Sequence, residues 1–97
     1  IVFNPKKYQS YLYLAKIYQK EDKVEYEEKN LNTVLLLDPK NEEALLMLAK
    51  IKIKESDFAA SKELLEKFSN SCKKMCIEKK ELEKELNNLL PKKTQSN

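Results

Sequence analysis

The sequence predicts an all-α protein in which helix-turn-helix units stack into a solenoid that a long C-terminal helix covers. Three observations predict this fold class. Apolar residues recur at helical spacing along most of the chain, the sequence of one stretch recurs in the stretch that follows it, and no segment combines strand-like alternation with glycine-containing turns. The length of 97 residues is enough for one domain with a single core.

The internal repeat becomes visible when residues 5–38 are aligned with residues 39–72. Ten of the 34 aligned positions are identical, including Leu14–Ile17 against Leu48–Ile51. A repeat of this length is typical of solenoids, in which one unit cannot bury its apolar face without a neighbour.

The first unit predicts two helices, Tyr8–Lys20 and Val24–Leu37. The second helix stops at Asp38, because Pro39 cannot continue it. The polar turn at 21–23 contains an Asp that is able to cap the following helix. Apolar residues at i, i+3, i+4 and i+7 predict the packing face of the first helix, which consists of Tyr11, Leu14, Ala15 and Tyr18.

The second unit follows the same order. Its polar turn at 55–57 again offers an Asp or a Ser as a cap. The first helix is lined by Leu45, Leu48, Ala49 and Ile51, and the second by Phe58, Ser61, Leu64, Leu65 and Phe68.

A last helix is expected to begin after an N-cap at Asn70 or Ser71 and to run to Leu90, before Pro91. We expect residues 73–91 to be a capping helix over the last unit, within one domain of residues 1–91, and residues 92–97 to be a disordered tail. In the alternative interpretation, this helix contacts another chain as a coiled coil through Leu82, Leu86 and Leu89.

The two cysteines, Cys72 and Cys76, lie four residues apart in this predicted helix. A disulfide at that spacing within one helix would be strained, whereas two small buried thiols fit it well. We therefore expect free cysteines.

The repeat resembles the tetratricopeptide repeat (TPR), whose 34-residue pattern reads W-x2-L-G-x2-Y, then A-x3-F, then P. Three residues depart from the pattern, namely Glu27 at a small-residue position, Lys52 at the tyrosine position and Lys73 at the closing proline. Residues 1–5 resemble the end of an earlier repeat, so the resemblance covers residues 1 to about 72. Other pattern positions keep the pattern residue or a substitute of the same size class, such as Ala15 for the Gly. The residues at these positions are Tyr11, Leu14, Ala15, Tyr18, Leu31 and Pro39 in the first unit, and Leu45, Leu48, Ala49, Ser61 and Leu65 in the second.

The resemblance implies that the first helices of the two units line a concave groove that binds a segment of another protein. Lysines would form a positive rim around an adaptable apolar floor, so we expect a partner with apolar and acidic residues. The implied groove residues are Gln9, Leu12, Tyr13, Lys16, Gln19, Lys20, Glu43, Leu46, Met47, Lys50, Ile53 and Lys54.

One version of this family holds the terminal carboxylate of heat-shock chaperones between Lys and Asn side chains. The corresponding positions here carry Leu12, Lys16 and Met47. The two units therefore lack that clamp, and the resemblance does not imply this kind of co-chaperone role.

The composition argues against several other functions. The chain has no Gly for a phosphate-binding loop and no His for nucleophilic catalysis, so we expect no enzyme, no cofactor and no metal site. A net charge of +3 with no arginine disfavours nucleic-acid binding, and no apolar segment is long enough to insert into a membrane.

The sequence leaves a second kind of function open. The helices could form a permanent interface in a multiprotein complex or an oligomer, rather than a receptor for a peptide segment. Because the chain begins at Ile1 rather than Met, we expect a fragment or a processed product. The compartment stays open for the same reason: the cytoplasm is favoured, with the bacterial periplasm as the alternative.

Overall fold

The computed structural model describes residues 7–68 and 72–90, which form five helices and contain no strand. This confirms the all-α fold class. The expected end of an earlier repeat, the caps at Asn70 or Ser71, the stop at Pro91 and the tail 92–97 lie outside the described residues. The helices are α1 (Tyr8–Lys20), α2 (Val24–Leu37), α3 (Glu42–Lys54), α4 (Phe58–Glu66) and α5 (Cys76–Leu89).

The turns after α1 and after α3 have the same geometry. Asp22 and Ser56, which are aligned with each other in the two repeats, adopt left-handed φ angles of 58° and 62°. In the first turn the backbone N–H of Lys23 donates to the carbonyl of Tyr18 at 2.9 Å, and in the second the N–H of Asp57 donates to the carbonyl of Lys52 at 2.8 Å. These bonds satisfy carbonyl groups that a helix end leaves without partners.

Side chains cap α3 and α4 but not α2. The side-chain oxygen of Asn41 accepts the N–H of Ala44 at 2.8 Å, and that of Asp57 accepts the N–H of Ala60 at 3.3 Å. The expected cap from Asp57 is therefore present. α2 has no corresponding side-chain cap, because Asp22 lies one position too early and Lys23 occupies the N-cap.

The helices pack mainly with their neighbours in the chain. α1 lies against α2, and α3 lies against α4, each pair joined by a short turn. α2 also packs against α3, while α5 contacts both α3 and α4. As a result α3 has helices on several sides and contributes seven buried residues: Ala44, Leu45, Leu46, Met47, Leu48, Ala49 and Ile51.

The buried face of α1 differs from the predicted one. Leu14, expected in the packing face, is 38% exposed, whereas Leu12, expected in the groove, is only 9% exposed. Leu12 and Ala15 are three residues apart and therefore share the face that packs against the core. The prediction for these two leucines was wrong because it gave α1 the same packing face as α3. α1 packs mainly against α2, whereas α3 packs against α2, α4 and α5.

A lysine at an expected tyrosine position links the two units. The ammonium of Lys52 on α3 donates to the carboxylate of Glu28 on α2 at 2.8 Å. This hydrogen bond raises the pKa of Lys52 despite the opposing effect of its burial. The contact between the two units at this position is therefore a charged one.

The last helix is shorter than expected, and its cysteines are bonded. α5 begins at Cys76, so Cys72 precedes the helix, and a disulfide joins the two residues with their Cα atoms 5.6 Å apart. The expectation of free thiols was wrong because it assumed that both cysteines lie within one helix. The irregular backbone before α5 brings them to an ordinary disulfide separation.

The closest approach of α3 and α4 depends on two small residues. Ala49 and Ser61 are completely buried, and the hydroxyl of Ser61 donates to the carbonyl of Ala49 at 3.0 Å. A larger side chain at either position would push the two helices apart.

We predict that Ala49→Leu lowers the free energy of unfolding by about 1–3 kcal/mol, the usual cost of overpacking a filled core. The matched control is Ala59→Leu on the exposed face of α4, which should change stability by less than about 0.5 kcal/mol. Urea denaturation followed by circular dichroism measures both. Equal stability of the two variants would contradict a tight contact at Ala49.

Candidate functional site

A cleft of about 250 Å³ opens between α1 and α3, and the start of α5 forms its third wall. On α1 and on α3 the lining residues follow the first one of each helix by three, four or seven positions, which places them on one face. Seven of the predicted groove residues line it: Lys16, Gln19 and Lys20 from α1, and Glu43, Leu46, Met47 and Lys50 from α3. Met75 and Glu78, which were not among the predicted groove residues, complete the lining.

An ion pair bridges the two helices within this cleft. The ammonium of Lys16 lies 2.5 Å from the carboxylate of Glu43, and both side chains are more than a third exposed. Exposed pairs of this kind contribute only about 0–1 kcal/mol to stability. Within the described residues Lys20 and Lys50 form no ion pair, so their charges are available to a ligand.

The apolar floor of the cleft is narrower than the sequence predicted. Leu46 and Met47 line it but are buried, with only an edge exposed, and Leu12 belongs to the core. The expectation that these side chains are not needed for packing was wrong, because all three belong to the buried core of the chain.

The remaining predicted groove residues do not line this cleft. Gln9 and Tyr13 are exposed elsewhere on α1, and Ile53 is half-buried beside the core. Lys54 lines a second cavity described below. A binding role for the twelve residues stays a prediction.

The third wall is held in place by one carboxylate. Glu42, the first residue of α3, accepts the backbone N–H groups of Lys73, Lys74 and Met75 at 2.6, 2.8 and 2.9 Å. Burial alone would raise the pKa of Glu42, but these bonds and the charge of Lys73 outweigh it and hold the pKa below its usual value of 4.5. The carboxylate therefore fixes the segment that carries Met75 beside the cleft.

The predicted coiled-coil residues of α5 have different environments. Leu82 and Leu86 are buried in the core, whereas Leu89 is exposed. The first two therefore pack within the chain, which agrees with a covering role for α5. Lys79, which interrupts the apolar stripe, lies 5.5 Å from the ring centre of Phe68, as in a cation–π contact.

A second cavity of about 160 Å³ continues the cleft toward the turn between α1 and α2. Its lining includes Glu27, which the sequence analysis noted only as a departure from the repeat pattern. The side chain of Glu27 is 4% exposed. Burial raises the pKa of Glu27, the charge of Lys54 opposes the rise, and that of Glu28 adds to it.

The described parts of the chain contain neither a metal-binding cluster nor a membrane-spanning helix. The ranges 7–68 and 72–90 contain no group of three or more His, Cys, Asp or Glu side chains that could hold a metal ion. The helices in these ranges are also too short or too polar to cross a membrane.

Comparison with known proteins gives no match. No protein family matches the sequence, and neither the curated proteins nor the solved structures contain a significantly similar chain.

We predict that Glu42→Gln lowers the free energy of unfolding at pH 7 by about 1 kcal/mol, which is below the usual range for charged hydrogen bonds because two of the three are exposed. The folded-state pKa of Glu42 is depressed, so its contribution is present above pH 4.5 and is lost as the pH falls through the folded value.

Urea denaturation at several pH values measures this difference. Glu63→Gln, an exposed change on α4, is the matched control and should leave stability nearly unchanged. A difference between wild type and Glu42→Gln that persists at pH 2 would contradict the assignment.

Proposed function

We propose that the chain is a non-enzymatic protein-interaction module built from TPR-like repeats, and that its cleft binds a segment of another protein. The observation that carries the proposal is the cleft itself, in which Lys20 and Lys50 lie beside the exposed edges of Leu46 and Met47. Positive charge next to apolar surface suits a segment with acidic and apolar residues.

The repeat-like features of the two helix pairs support this proposal. Ala15 and Ala49, which occupy the same position in the two repeats, are both completely buried. Asp22 and Ser56, a second pair of aligned residues, end their helices with the same left-handed geometry. These paired features agree with two copies of one structural unit, as a repeat-based interaction module requires.

The size of the cleft limits how the partner can bind. A volume of about 250 Å³ accommodates a few side chains but not the full width of a helix. The partner is therefore an extended segment that inserts side chains, or a helix that lies along the rim with one edge in the cleft.

We predict that Lys20→Glu/Lys50→Glu weakens binding of a partner segment at least tenfold, because two attractive charges become repulsive. The partner is first identified by affinity capture with this chain, and its affinity is then measured by calorimetry at several salt concentrations.

The matched control is Lys62→Glu/Lys67→Glu, which makes the same charge change at exposed positions in and after α4. It should change the affinity less than twofold. Equal effects of the two double variants would contradict binding in the cleft.

One observation favours a second function, that of a structural subunit in a larger assembly. Leu14 on α1 is 38% exposed, whereas Leu48, its equivalent in the second repeat on α3, is 4% exposed. α2 packs against α3. If the repeats are structurally equivalent, α1 has a face that is suited to pack against another helix.

The two functions predict different behaviour in solution. As an interaction module the chain should sediment as a monomer between 10 and 200 μM, as it has no need of a permanent partner. Sedimentation equilibrium measures this.

An increase in mass with concentration that Leu14→Lys abolishes, but Tyr13→Lys on the neighbouring exposed position does not, would instead support the assembly function.

A further inference from the structure

Glu27 and Ser61 are the buried polar side chains among the described residues, and they differ in their surroundings. The Ser61 hydroxyl has a partner in the carbonyl of Ala49. The carboxyl group of Glu27 has no hydrogen bond or ion pair within ranges 7–68 and 72–90, although it is on the lining of the 160 Å³ cavity. Burying a carboxyl group without a partner is costly, so its position calls for an explanation.

The carboxyl group faces the cavity. In the described residues every fully enclosed side-chain oxygen or nitrogen has a hydrogen-bond partner. Glu27 has none in this part of the chain, so its oxygens must retain some accessible surface, and the cavity that it lines provides that surface. A ligand entering the cavity can therefore reach the carboxyl group.

The walls of the cavity suit a short aliphatic chain. Val24, Met47 and Ile51 supply apolar surface. The cavity volume of about 160 Å³ is several times the roughly 30 Å³ that one water molecule occupies, so the cavity has room for several non-hydrogen atoms of a side chain.

The charges around the cavity favour a cation. Asp22 and Glu55 line it together with Glu27, while Lys50 and Lys54 are its basic residues. With all five groups ionised, three negative charges face two positive ones, and one of the three, Glu55, also pairs with the ammonium of Lys52 at 3.5 Å. An anionic ligand would meet the buried carboxylate, whereas an ammonium group would neutralise it.

We propose that this cavity is a pocket for the lysine side chain of the partner segment, with the methylene groups against Met47 and Ile51 and the ammonium on the carboxylate of Glu27. The inference rests on the proposed function, because it names one residue of the segment that the cleft would bind. Burial raises the pKa of Glu27, so an ammonium bound there should lower that pKa again.

The cavity and the cleft can hold one continuous segment. Gln19, Met47 and Lys50 line both spaces. The cleft has the opposite charge balance, with Lys16, Lys20 and Lys50 against Glu43 and Glu78. A segment with a lysine in the pocket and an acidic residue nearby would therefore match the charges of both the cavity and the cleft.

The test uses N-acetyl-lysine-N-methylamide as a probe, with the norleucine analogue as a control that has the same methylene chain and no ammonium. Methyl NMR signals of Met47 and Ile51 report binding to the intact chain. We expect the lysine probe to bind in the millimolar range and the norleucine analogue at least tenfold more weakly. Equal binding of the two probes, or no binding of the lysine probe, would overturn the proposal.

Variants of the pocket provide the second arm. Glu27→Gln should weaken binding of the lysine probe at least tenfold. Glu25→Gln, an exposed change on the same helix, should change the affinity for the probe less than twofold. Lys54→Met removes a competing positive charge and should tighten binding severalfold. If Glu27→Gln fails to fold, Lys54→Met still tests the proposal. A lysine probe that binds Lys54→Met no more tightly than the wild type would overturn the proposal.

A titration of the Glu27 carboxyl carbon by NMR separates a binding role from a structural one. The saturating lysine probe should lower the pKa of Glu27, and the norleucine analogue should leave it unchanged. An unchanged pKa with the lysine probe would overturn the proposal. If the partner segment nevertheless binds Lys20→Glu/Lys50→Glu more weakly than the wild type, the proposed function would remain supported.

Discussion

The packing of α3 on several sides is the constraint on which the rest of the structure depends. Six consecutive residues, Ala44–Ala49, are buried, which is unusual for a helix at the surface of a small protein. α2, α4 and α5 each cover part of its circumference. The close contact with α4 requires the small residues Ala49 and Ser61, and the hydrogen bond between them satisfies the hydroxyl that this contact buries.

The same constraint determines what the cleft can do. Because Leu46 and Met47 belong to the buried core, they contribute only edges to the cleft. In the proposed function, recognition would then depend on charge and on individual side-chain pockets rather than on a broad apolar floor. Glu42 has an indirect part in this, since it holds the segment with Met75 that forms the third wall. The cleft and the adjoining cavity have opposite charge balances, which would fix the direction in which a segment lies in the proposed function.

Local features of the sequence predicted the parts of the structure that local interactions determine. The bounds of α1 and α2 agree with apolar spacing and with the stop before Pro39, and Asp57 caps α4 as its position indicates. Features that depend on contacts between distant residues were missed. Glu42 meets a segment that follows the second repeat, and the disulfide depends on where α5 begins. The departure of Glu27 from the repeat pattern was the signal that could have revealed the second cavity.

Native-state hydrogen exchange is the most direct test of the central position of α3. Amides in the middle of α3 should exchange only through global unfolding, with an opening free energy equal to that measured by denaturation. Amides of α5, which packs from one side, should exchange through a partial opening of lower free energy. The account would be contradicted if the α3 amides opened at a free energy well below the global value, or if those of α5 were the better protected.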